Sequence, residues 1–173
     1  MNRKDIAELV GLAAIVASLV FVGMQMRQAQ DIAMAEGYSS LFATRIEVAN
    51  NIKDHVDIWK RGTAGEELQE TDFATFAILV NQVNENAVQA YVHLLMVEGS
   101  YSAEFAARDF AGFLYHNPGA RNVWEDREEY LQINREALHG ESAPESWPQA
   151  ISAYLSELDS IQPPNDRSPF VDW

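Results

Sequence analysis

The 173-residue chain has no cysteine, no proline before Pro118, and only 12 lysines and arginines against 26 aspartates and glutamates. Each shortage excludes something. Without cysteine there is no disulfide, no thiolate metal ligand and no cysteine nucleophile. Without proline, the strongest helix breaker is absent from the first two thirds of the chain. With a net charge of −14 the chain repels phosphate backbones, so no nucleic acid is expected among its partners. The 47% apolar content is that of a folded protein, in a chain long enough for one domain plus an attachment.

The few basic residues are unevenly placed. Arg3, Lys4 and Arg27 against Asp5 and Glu8 leave residues 1–27 at +1, while the remainder holds 9 basic and 24 acidic residues. Between Glu8 and Arg27 lie 18 uncharged residues, Leu9 to Met26, nine of them Leu, Ile, Val or Phe. As a helix they span roughly 27 Å, close to the ~30 Å hydrocarbon core. The apolar residues surround the helix instead of forming one stripe, which suits lipid and not a surface bundle helix. A cleaved signal is the first alternative, but the one small-residue site, Ala33-Met34-Ala35, lies far beyond the apolar run. A helix buried in a larger soluble protein is the second. The pattern predicts an N-terminal anchor over 1–27, in contact with the bilayer through residues 9–26. Positive charge before the span and little after it favours a cytoplasmic N-terminus and an extracytoplasmic body. Within the span Gly11, Ala14 and Ser18 are small residues at the spacing that lets helix backbones approach, and they are the expected packing face.

The rest reads as an acidic α-helical domain over 28–160 and an irregular tail over 161–173. Ile32, Ala35, Phe42, Ile46, Ala49, Val56 and Trp59 recur three, four or seven apart, predicting that the anchor helix continues as a long amphipathic helix to about Trp59. "RGTAGEELQE" reads as a loop. Thr71 or Asp72 starts a second helix with Phe76, Val80, Val83, Ala87, Tyr91 and Leu94 on its apolar face. Ser102 starts a third through Phe105, Phe110, Phe113 and Leu114. Asn117-Pro118 opens a fourth, with proline at the first helical position, and Ser146 with Gln149 opens a fifth. The predicted fold is all-α: a membrane helix running into a long amphipathic one, packed with about four further helices in a bundle-like body.

Three stretches, "ELVGLAAIVASLVFVGMQMRQAQ", "NENAVQAYVHLLMVEGSYSAEF" and "NPGARNVWEDREEYL", resemble a family of uncharacterised bacterial single-pass proteins with an N-terminal span and a helical body. The "QMRQ" exit from the span and the "NPGAR…W" turn carry most of the likeness. The resemblance implies a fold and an attachment to the bacterial inner membrane, and brings no catalytic residues. It also implies more basic residues after the span, and hence a cytoplasmic body. Here only Arg27 is present, so resemblance and charge count point to opposite sides.

No Gly-rich phosphate loop, nucleophile elbow or His-Glu-x-x-His motif occurs, and no catalytic residue, cofactor or metal site is assigned. Asn81, Glu85, Gln89 and His93 stand four apart and form one polar helical face that could hold a small polar ligand or cation. By default such a face is the solvated side opposite Phe76, Val80, Val83 and Ala87. The acidic clusters at Glu66, Glu67, Glu70 and Asp72 and at Glu125, Asp126, Glu128 and Glu129 lack the ligand order of a calcium loop and read as solvated faces. Phe170 and Trp173 in the proline-rich tail are apolar residues suited to docking in a partner groove. The expected function is a non-enzymatic, membrane-anchored interaction protein, an accessory subunit or scaffold of a membrane complex that binds a membrane protein or itself. A membrane-tethered sensor of a small polar ligand comes second, and a metal-dependent enzyme using Glu85 and His93 third.

Overall fold

In the computed structural model the described residues are 3–97, 100–138 and 146–161. They form six helices: α1 (Arg3–Asp54), α2 (Val56–Thr63), α3 (Glu70–Val97), α4 (Ser100–His116), α5 (Pro118–Leu138) and α6 (Ser146–Ile161). No strand occurs among the described residues. The all-α fold with a long apolar N-terminal helix is thus the one expected, with one more helix than the periodicity suggests. The chain divides into two compact units, Met1–Ser40 and Leu41–Trp173. That division follows packing; the boundary expected at residue 27 follows charge and lipid, a separate property.

The extra helix arises at His55. The long helix does not continue to Trp59: His55 takes φ −123° and ψ 34°, α1 stops at Asp54, and the His55 carbonyl accepts the first bond of α2 from the Trp59 N–H at 2.9 Å. The break re-aims Trp59, whose ring stacks on Phe113 (5.8 Å between centroids, 6° between planes) and meets Phe76 at 5.9 Å. The expected loop is shorter than "RGTAGEELQE", because Arg61, Gly62 and Thr63 close α2. There the Gly65 N–H reaches the Gly62 carbonyl and the Glu66 N–H the Arg61 carbonyl, a Schellman ending. It requires a left-handed residue, supplied by Gly65 at φ +77°. Gly62 and Gly119 answer a different need. A Cβ on Gly62 would enter the Phe76 ring, and one on Gly119 would enter the Gly62 carbonyl oxygen, so the start of α5 lies directly on the end of α2.

Helix α3 begins at Glu70, one residue before the expected caps. Thr71 is already helical, and Asp72 instead accepts from the Arg61 Nη1 at 3.3 Å. Its predicted apolar face is the one buried: Phe76, Val80, Val83 and Tyr91 enter the core, with Ala87 and Leu94 packed against it. In α4, Phe110, Phe113 and Leu114 are buried as expected, but Phe105 is 60% exposed. At about 100° per residue it lies about 140° around the helix from Phe110. Ala103, Ala107 and Ala111 take the inner face instead. At the next corner Asn117 is buried, gives its side-chain N–H to the Phe113 carbonyl at 2.8 Å, and accepts from the Arg121 N–H, leaving Pro118 at the first helical position.

The core is aromatic and centred on α4, with Phe76, Phe110, Leu114 and Ile151 among its fully buried side chains. Helix α6 is locked onto it by Trp147, which packs on Phe110 at 5.7 Å and Tyr91 at 5.3 Å and donates from Nε1 to the Asn84 Oδ1 at 3.2 Å. Arg121 ties α5 to α6 through two bonds to the Asp159 carboxylate (3.1 and 2.9 Å) and reaches Glu125 at 2.7 Å. Its hydrogen bond to Asp159, chiefly, pushes the guanidinium further above an already high pKa, so this cross-brace keeps its positive partner at any working pH.

Candidate functional site

Two features of the structure are unspent by folding: the surface of α1 and the cleft between α1 and α3. The first is apolar. The described side chains from Gly11 to Asp31 are all exposed, Leu19 at 67%. The helix is long and apolar enough to cross a bilayer, with none of its most apolar window buried. Ala14 and Ser18 are exposed, and a Cβ added at Gly11 would meet no atom within 4 Å among the described residues.

In Leu41–Trp173 the stripe expected to be the packing face of α1 is not that face. Phe42 and Ile46 are 64% and 62% exposed, and Ala49 and Val56 are exposed too. Contact with the body is made instead by Val48 and Ile52, which pack against the core, and by Asn51, whose side-chain N–H donates to the Gln82 Oε1 at 3.1 Å. Val48 and Ile52 form their own i, i+4 row, so α1 carries two apolar rows here and only one meets α3 and α4. In the other unit, Ile32 and Ala35 are likewise exposed.

The cleft has a polar and an apolar part. The polar part, of about 140 Å³, is lined by Thr44, Glu47, Asn51, Gln82, Glu85 and Gln89. Of the polar ladder only Glu85 and Gln89 face it; Asn81 and His93 are half-buried and belong to neither part, so the four residues do not form one site. The apolar part, of about 130 Å³, has walls of Val48, Ile52, Val83, Ala87 and Phe110. Val48 and Asn86 line both. The Asn86 Nδ2 is buried with no hydrogen-bond partner, a state that costs about 1–3 kcal/mol.

Asn84 and Asn86 therefore matter more than the ladder, and the sequence does signal them. Asn84 follows Val80 by four residues and precedes Tyr91 by seven, and Asn86 follows Val83 by three. Both are polar residues on an apolar face. Glu136 and His139, three apart on α5 and beyond, have the spacing of a helical metal-ligand pair. Their side chains lie outside the described residues, as do Phe170 and Trp173 of the tail. Among the described residues no group of three or more His, Asp or Glu side chains could hold a metal ion. The acidic clusters are mostly exposed, with Asp72 paired to Arg61 and Glu125 to Arg121.

Comparison of the chain with protein-family models, with curated proteins and with solved structures finds no match in any of the three. The functional reading therefore rests on the geometry.

Proposed function

We propose that the chain is a non-enzymatic interaction protein held in the bacterial inner membrane by residues 9–26, an accessory subunit or scaffold of a membrane complex. The observation that carries this reading is the apolar surface of α1, exposed around the helix from Leu12 to Met26, with Ile32, Phe42 and Ile46 also exposed. Exposed apolar side chains of this number on one element mark contact with lipid or with another protein. Lipid covers the first segment. A membrane protein or a second copy of the chain covers the second, with Gly11, Ala14 and Ser18 as the close-approach face within the bilayer. The charge asymmetry supports an extracytoplasmic helical body.

The test is native mass spectrometry of the full-length protein released from its own membranes in mild detergent. A stoichiometric companion or a self-associated species is expected. A chain absent from the membrane fraction, or a monomer at every concentration, overturns the reading. A second reading, a tethered sensor of a small polar ligand, draws on Glu85 and Gln89 facing the polar part of the α1/α3 cleft. It requires saturable binding that is lost in Glu85→Ala.

A further inference from the structure

Within the helical body, the apolar part of the cleft combines three properties that are separately ordinary. Its volume, about 130 Å³, is close to the about 150 Å³ of a cavity that takes up benzene. Its walls are Val48, Ile52, Val83, Ala87 and Phe110, side chains that offer water no hydrogen bond. Asn86 lines both this part and the polar one, and its Nδ2 is buried and without an acceptor. The neighbouring Asn84, on the same helix, shows the contrasting outcome, since its amide is used by Trp147.

We propose that this pocket between α1, α3 and α4 is a binding site for an uncharged ring of about benzene's size that carries one hydrogen-bond acceptor, a heteroaromatic or a small cyclic ketone. The ring fills the space between Val83, Phe110 and Ile52, and its acceptor receives the Asn86 N–H. Arg45 and Asp109 are exposed at the rim, so the pocket is reached without opening the core. The exposed carboxylates of Glu47 and Glu85 in the adjoining polar part disfavour an acid at the ring's polar end. The site lies wholly within Leu41–Trp173 and stands whether or not α1 is an anchor.

The pair of probes that isolates the acceptor is 3-fluoropyridine and fluorobenzene, equal in shape and different in one ring nitrogen. Fluorine-19 NMR titration of each is made with full-length protein in lipid nanodiscs, with empty nanodiscs giving the lipid background. Both probes are expected to bind the protein above that background and to lose binding in Ala90→Leu, which fills the pocket. In Asn86→Leu the ratio of fluoropyridine to fluorobenzene affinity is expected to fall about five- to tenfold, the worth of one neutral hydrogen bond. If Ala90→Leu does not fold, Ala106→Leu fills the same space from α4. No binding above empty nanodiscs, binding that survives the filling variants, or an affinity ratio unchanged by Asn86→Leu overturns the proposal.

Discussion

The stretch from Gly11 to Met26 and the body from Leu41 onward use the same apolar residue types to opposite ends. In the first, Leu12, Ile15, Val16, Leu19 and Phe21 are exposed on every side of one helix. In the second, Phe76, Phe110, Leu114 and Ile151 are withdrawn from solvent by their neighbours, and even the polar Asn84 is 1% exposed. The difference is one of arrangement, not of hydrophobicity. Where the apolar residues encircle a helix, no single neighbour can cover them and a solvent must. Where they keep to one stripe, a second helix suffices. A continuous α1 carries both conditions, with the stripe regime beginning where Val48 and Ile52 find the core.

Substitutions can break this contrast from either side. The largest effect is expected for Val16→Lys with Leu19→Lys, which adds about 6–8 kcal/mol to insertion. Alkaline extraction of membranes should then release the protein, while the melting of the helical body is unchanged. Phe110→Ala is expected to do the reverse, lowering the stability of the body by about 3–5 kcal/mol in chemical denaturation with membrane partition intact. Asn84→Leu removes the acceptor of the Trp147 Nε1 and should cost about 1–3 kcal/mol by the same measurement, less than the loss of the ring packing itself. The smallest effect on folding belongs to Ile46→Asp, within about 0.5 kcal/mol, because its side chain is already in solvent. That variant sharpens the comparison: sedimentation should show weaker association although the body melts as before.

Much of the body was legible because a packing face leaves a period. Phe76, Val80, Val83 and Tyr91 on α3 stand where the three-and-four spacing puts them, and Pro118 opens α5 as its chemistry requires. Two things escaped it. A period does not say which of two apolar rows is chosen: Ile32, Phe42 and Ile46 are as regular as Val48 and Ile52, and only the positions of α3 and α4 decide between them. Nor does it register a break that costs little locally, such as His55, where the gain lies in the distant contacts of Trp59 with Phe76 and Phe113. The site was partly legible for the same reason. Glu85 and Gln89 do face a cleft, yet the ladder that named them joined Asn81 and His93 by spacing alone, and passed over Asn86, a polar residue beside Val83 on the apolar face.

The crossing of Gly62 and Gly119 bears on the order in which the body is made. These two positions join the end of α2 to the start of α5, and α3 and α4 lie between them in the chain. Loop-closure entropy is therefore spent before this contact returns anything, and it closes late. During synthesis α1 and α2 leave the ribosome well before their partner exists. For that interval Trp59 has neither Phe76 nor Phe113 to rest on, and the nascent segment depends on whatever else is at hand to keep it from wandering.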